Sequence, residues 1–275
     1  MHSLEHSVSF TRSNPNYFFN FTGLLTYNTI TMALPDEANT VTGGCSCGAI
    51  RYRIAIPHLE DRPLHPMAPP SSNTRLPQAI TCHCNDCRRS TGAFLSPAMV
   101  DIPAPMLTVS SISPSSESTI VSGRFLDVLA DDYDAEKADA DRPPYVPGTK
   151  SLLAGEESKT WIRFYHSTSC SKALSRSFCG RCGTPICFHF KLIPEYCHEG
   201  NMPKDFEDLF HIYLGTVDRE FLDKEWFIPD MEVNFKFGIT FGKAVSATAK
   251  GLREVPKVQA FDGEVSKEEL QKLAV

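Results

Sequence analysis

Seven of the ten cysteines in this 275-residue chain fall into three short clusters: Cys45-Ser46-Cys47, Cys82-His83-Cys84-Asn85-Asp86-Cys87 and Cys179-Gly180-Arg181-Cys182. Two short cysteine pairs on separate turns are the usual source of the four thiolates that a tetrahedral structural zinc takes. Cys45/Cys47 and Cys179/Cys182 can be two such pairs, and each carries glycine where a knuckle turns tightly: Gly43, Gly44 and Gly48, then Gly180 and Gly183. The middle cluster places Cys82, Cys84 and Cys87 within six residues. Three thiolates leave a tetrahedral ion one further position, and an open position is what separates a catalytic zinc from a structural one. The expected cofactor is zinc, two ions per chain.

Other readings use the same residues. Disulfides belong to oxidising compartments, and ten cysteines in 275 residues are too sparse for a small disulfide scaffold; no secretory signal is read either. Both zincs can instead be structural, with the fourth ligand of the triple cluster taken from His83, His166, Cys170, Cys187 or Cys197. Spacing does not distinguish these cases. By themselves Cys187 reads as a core residue, Cys170 and Cys197 as unpaired thiols, and His189, His198 and His211 as strand or loop residues.

A hydrophobic content of 41% suits an ordinary core in one elaborated domain or two small ones. No apolar run approaches the ~18 residues of a membrane span. The net charge of −6 and the lack of a basic stripe argue against nucleic acid as a partner, leaving a small molecule. Arg88-Arg89, the one adjacent basic pair, is either a solvated turn or a counterweight to a three-thiolate zinc or an anionic substrate. Reduced thiols without a signal peptide imply the cytoplasm.

The elements that must carry these clusters read as short strands. Ala49–Ile56, Thr160–Tyr165 and Pro185–Phe190 are rich in alternating, β-branched or aromatic residues, and similar runs occur at Ala98–Ile102, Met106–Val109, Thr119–Val121, Leu209–Leu214 and Glu232–Phe237. One helix is expected near the C-terminus, where Ser266 and Glu269 form a capping box ahead of Leu270 and Leu273. The organisation read from this is a disordered tail over 1–39, with Met32 as an alternative start, a zinc domain over 40–240 and an extension with a short helix over 241–275. Two inserts interrupt the domain: a proline-rich loop at 58–79, and a stretch at 127–159 that begins acidic and reads as a solvated insert or a substrate lid.

Three ordered motifs then point further. Gly43-Gly44-Cys45-Ser46-Cys47-Gly48-Ala49-Ile50-Arg51-Tyr52, Cys82-His83-Cys84-Asn85-Asp86-Cys87-Arg88-Arg89-Ser90-Thr91-Gly92-Ala93 and Arg176-Ser177-Phe178-Cys179-Gly180-Arg181-Cys182-Gly183-Thr184-Pro185 resemble the glutathione-dependent formaldehyde-activating enzyme family, which includes the relatives of centromere protein V. The resemblance runs from about Thr40 to Phe237, with softer matches at Trp161–Ser169 and Leu214-Gly215-Thr216-Val217-Asp218. It implies a mainly β fold of the β-tent type, short antiparallel sheets pinned by zinc knuckles with few short helices. It also implies that Cys45, Cys47, Cys179 and Cys182 hold the structural zinc while Cys82, Cys84 and Cys87 hold the catalytic one. The implied activity is that of a carbon–sulfur lyase, forming or cleaving S-hydroxymethylglutathione from glutathione and formaldehyde.

The donor set supports this chemistry independently. Three thiolates make zinc a weak Lewis acid, so a soft substrate sulfur suits the remaining position better than hydroxide. His83 is the nearest titratable group in sequence for the proton that a carbonyl oxygen needs, a positioned water being the alternative. The two inserts and the extension after Phe237 make this an elaborated member, for which a dehydratase or lyase acting on another small molecule, or a non-catalytic interaction protein, are the alternatives.

Overall fold

The computed structural model describes residues 34–116, 142–153, 159–166, 174–203, 208–224, 226–249 and 257. Among these residues the protein is mainly β, with eleven strands in two sheets and four helices. The strands are β1 (Asn39–Gly44), β2 (Ile50–Ile56), β3 (Gln78–Cys82), β4 (Ala98–Pro103), β5 (Leu107–Ser111), β6 (Val146–Pro147), β7 (Ile162–His166), β8 (Leu174–Cys179), β9 (Pro185–Lys191), β10 (Asp208–Tyr213) and β11 (Met231–Val233). The helices are α1 (Asn85–Thr91), α2 (Gly148–Leu152), α3 (Arg219–Leu222) and α4 (Thr240–Thr248).

The smaller sheet has the order β1-β2-β5-β6 and the larger one β11-β3-β4-β10-β9-β8-β7. Every pairing is antiparallel except β11 on β3, which is parallel and departs from the all-antiparallel expectation. Alternation decides what each face buries. Val41, Tyr52, Ile54, Leu107 and Val109 of the small sheet share one core with Val100, Ile102, Phe210 and Ile212 of the large sheet. Each such side chain stabilises the fold by about 1.5–3 kcal/mol on burial. The opposite face of the large sheet collects Ile80, Met99 and Tyr213 with Cys82 and Cys87.

The two sheets are also joined by polar groups. Arg51 on β2 donates from Nη1 and Nη2 to Oδ1 and Oδ2 of Asp218, at 2.8 and 2.5 Å, and the Thr42 hydroxyl donates to the same carboxylate. Tyr52 Oη lies 2.9 Å from Thr216 Oγ1 on the same turn. The sequence reading gave this Leu214–Asp218 turn no structural role.

Several elements differ from expectation. The expected strand Glu232–Phe237 ends at Val233, because Asn234 takes a left-handed conformation (φ 58°) and Phe235–Phe237 form a 3-10 turn. Helices α1 and α4 occupy segments without a long apolar period, the only signal a sequence reading could use there. The proline-rich stretch runs through 3-10 turns at Leu59–Asp61 and Pro70–Ser72, buries Leu76 and joins β3 at Gln78. Of the second insert, Arg142 donates to the carbonyls of Gly48, Ala49 and Ser110, and Leu152 is fully buried, so this end belongs to the core. Leu34, within the expected tail, is buried in the same core. Residues 1–33, Thr119–Val121, the acidic run from Asp127 to Asp141, Cys170 and the capping box at Ser266 lie outside the described residues. No helix among the described residues is long and apolar enough to cross a membrane.

One buried acid makes stability depend on pH. Burial raises the Asp230 carboxyl from 3.8 to about 7; Oδ2 accepts from the Ala79 amide at 3.3 Å, while Oδ1 has no hydrogen-bond partner among the described residues. Between these values the folded protein keeps a proton that the unfolded chain has released, so stability falls as pH rises through that window. Asp230→Asn is expected to raise Tm at about pH 8 and to change it little at about pH 4. Thermal melts at both pH values check this, and an equal effect at the two would exclude the carboxylate as the cause.

Candidate metal centres

The first cysteine pair sits on the β1–β2 turn and the last on the β8–β9 turn, so the first centre joins the two sheets. Gly48 and Gly183 close these knuckles with φ of 71° and 80°, which only glycine adopts without strain. Their amides donate to Cys45 O and Cys179 O at 3.0 and 2.8 Å. The sulfurs of Cys45, Cys47, Cys179 and Cys182 then lie within 4.8 Å of one another, with Cys45–Cys47 at 3.5 Å and Cys47–Cys179 at 3.7 Å. A tetrahedral ion bound at ~2.3 Å from each sulfur requires edges of ~3.8 Å. The four sulfurs therefore fit one metal ion, and the nine described cysteines are free of disulfides. The Ile50 amide donates to Cys45 Sγ at 3.2 Å, while Thr184 Oγ1 accepts from Ser46 N and contacts Cys182 Sγ, both at 3.2 Å.

The second centre forms where β3 ends. Cys82 closes the strand, Cys84 is the N-cap of α1 and Cys87 lies in its first turn. The three sulfurs are again within 4.8 Å of one another, and among the described residues no other cysteine, histidine, aspartate or glutamate joins them. Each sulfur has its own N–H donor. Asn234 Nδ2 lies 3.5 Å from Cys82 Sγ, the Cys87 amide 3.3 Å from Cys84 Sγ, and Arg176 Nη2 3.6 Å from Cys87 Sγ. Donors of this kind favour the thiolate form, as a metal centre needs. Hydrogen bonds from the Cys82 and Cys87 thiols hold Cys84 well below the ordinary thiol range, while the contacts with Cys84 and Cys87 push Cys82 up.

Arg176 organises the surroundings of this centre. Its Nη1 donates to Tyr213 Oη and its Nη2 to Asp86 Oδ2, both at 2.5 Å. Gln78, Asp101, His211, Phe188, Arg176 and Tyr165 are consecutive cross-strand partners on β3, β4, β10, β9, β8 and β7. Along this row His211 Nδ1 bonds Asp101, the imidazole stacks on Phe188 at 3.9 Å, and Arg176 Cζ lies 5.2 Å from the Phe188 ring centre. The guanidinium is thus held by cation–π contact as well as by its hydrogen bonds.

A cavity of about 220 Å³ is lined by Arg176, Tyr213, Ser90, Ser177, Gly183, Tyr165, Phe178 and Pro185; Arg176 and Ser90 connect it to Cys87 through the Sγ and the carbonyl oxygen. Ser90 donates to Cys87 O at 3.0 Å, and Tyr213 Oη accepts from Arg176, so the Tyr213 hydrogen remains available to the cavity or to Ser90 Oγ at 3.4 Å. Burial raises the Tyr213 phenol above its ordinary pKa, which keeps that hydrogen in place.

The other sequence candidates sit elsewhere. His83 is buried on the far side of its two cysteine neighbours, with Nδ1 2.8 Å from Ser96 Oγ and Nε2 2.6 Å from Glu232 Oε2. It does not line the cavity, and Glu232 in turn pairs with the buried Lys257 at 3.4 Å. Arg89 is exposed and Arg88 reaches Asn85 Oδ1 at 3.3 Å, so the guanidinium at the thiols is Arg176 rather than either of these. His166 is exposed at the end of β7. Burial pushes the Cys187 thiol up to about 12, and Cys197 Sγ faces Ile193 O at 3.7 Å; neither joins a cluster. Sequence reasoning missed Tyr213, Tyr165 and Asn234, and it quoted Asp86, Ser90 and Arg176 within motifs without giving them roles.

No protein-family model and no curated protein matches this chain. The centres themselves carry a prediction. Cys179→Ser, which opens the link between the sheets, is expected to lower Tm by roughly 10 °C or more, whereas Cys84→Ser should cost only a few degrees. Metal analysis should give close to two divalent ions per chain for the unaltered protein and close to one for Cys84→Ser. Thermal melts with metal analysis of the three proteins check both statements.

Proposed function

We propose that the protein is a zinc-dependent carbon–sulfur lyase that forms or cleaves a thiol–aldehyde adduct. The observation that carries this reading is the set of three thiols, with no fourth ligand among the described residues, held at Cys87 Sγ by Arg176, which together with Tyr213 lines a neighbouring cavity. Zinc suits both centres because all-sulfur, tetrahedral sites favour it, and when bound at the second it would supply a soft position for a substrate sulfur.

The protein's own groups account for the rest. The Asn234 amide, the Cys87 amide and the Arg176 guanidinium spread the negative charge of three thiolates over fixed donors. As a carbon–sulfur bond forms, the sulfur lone pair becomes the new bond and the carbonyl π pair moves onto oxygen, where charge grows. Tyr213 is the hydrogen-bond donor for that oxygen, oriented by Arg176; the proton released by the thiol returns through water to complete the hydroxyl, and cleavage takes the same path in reverse. His83, with both nitrogens engaged, belongs to the support beneath β3 and α1 rather than to proton transfer. S-hydroxymethylglutathione is the adduct that the family resemblance implies; a dehydratase acting through a hydroxyl would need a harder donor set than three cysteines.

The test is exchange NMR of formaldehyde with a thiol in the presence of zinc-loaded protein. Acceleration over the spontaneous rate is expected, lost in Cys84→Ala and reduced about 10²–10³-fold in Tyr213→Phe with zinc content unchanged. A fully zinc-loaded protein that accelerates exchange with no thiol would overturn this reading and leave the interaction-protein alternative.

A further inference from the structure

Resting on that reading of the Cys82/Cys84/Cys87 site, we infer that its sulfur substrate is a small thiol bearing a compact apolar or aromatic group and no carboxylate, in place of an anionic peptide thiol such as glutathione. Size is the first argument. The cavity holds about 220 Å³, below the ~300–1,000 Å³ of pockets that enclose drug-sized ligands. A tripeptide would leave most of its length outside.

Charge is the second argument. Among the described residues that line the cavity Arg176 is the one with a charge, and its two terminal nitrogens are engaged with Tyr213, Asp86 and Cys87. Asp86 already neutralises it. Three thiolates around a divalent ion sum to −1, so the local charge stays negative after Arg176 and Asp86 cancel. A carboxylate entering this cavity meets, among the described residues that line it, no cation other than the already engaged Arg176.

The apolar part of the lining selects in the opposite sense. Tyr165 and Phe178, with ring centres 6.3 Å apart and inclined by 59°, stand beside Pro185 and form an apolar side against which a flat group can pack. Tyr165 is 44% exposed, so its ring is accessible at the mouth. Aromatic pairs in such offset or edge-on arrangements gain attraction beyond area burial, enough to rank otherwise similar thiols.

The experiment titrates phenylmethanethiol and glutathione separately into cobalt-substituted protein, following the change in the cobalt absorption spectrum and the heat of binding. Phenylmethanethiol is expected to bind at least about tenfold more tightly, and Tyr165→Ala and Phe178→Leu should each remove most of that preference while leaving the glutathione affinity as it was. Because Tyr165 lies at the edge strand and is partly exposed, its replacement leaves the core intact. Tighter glutathione binding, or a preference indifferent to both substitutions, overturns this inference but leaves the carbon–sulfur reading standing. If neither thiol perturbs the cobalt spectrum, the carbon–sulfur reading itself fails.

Discussion

Four thiol sulfurs carried on the turns of two different sheets meet within 4.8 Å, and the rest of the structure is arranged around that meeting. Thiols so close cannot all ionise unless a cation lies among them, and they form no disulfide. The contact therefore makes structural sense as a chelate. It fixes how the small sheet lies on the large one, in concert with the Arg51–Asp218 pair and the apolar layer between them. With one face of the large sheet committed to this core, its other face is left to carry the second centre and the cavity.

That second face is built by register. A row of direct partners crosses from Gln78 to Tyr165, and within it each group holds the next: Asp101 the His211 ring, His211 the Phe188 ring, Phe188 the Arg176 guanidinium. Arg176 then connects three things that chemistry at the site would need together, a thiol ligand, a counter-charge and the tyrosine donor. Such a network constrains orientation more than it adds stability, since each buried ionic contact must offset its own desolvation. It holds the hydroxyl of Tyr213, a residue of the cavity lining.

The His83 network shows the same logic on the other side of β3. Side chains alternate at the end of a strand, so the residue between two ligands points away from them. Ser96, Glu232 and Lys257 meet its ring in a buried polar chain under the α1 turn. Proximity in sequence made His83 one candidate proton carrier beside a positioned water; its ring is engaged by Ser96 and Glu232 and does not line the cavity.

The amino-acid sequence by itself determined the three cysteine clusters and the mainly β class. Cysteine spacing of one or two residues with glycine at the turns points to knuckles, and alternating β-branched and aromatic runs point to strands that bury one face. Periodicity also placed β2, β4, β7, β9 and β10 to within about two residues. Tertiary structure alone decided which cysteines share a centre, because Cys47 and Cys179 are 132 residues apart and no local signal joins them. It likewise decided that the guanidinium at the thiols is Arg176, 89 residues from Cys87, and that Tyr213 faces the cavity. Those assignments depend on strand order and register in the large sheet, which are long-range properties that local composition does not encode.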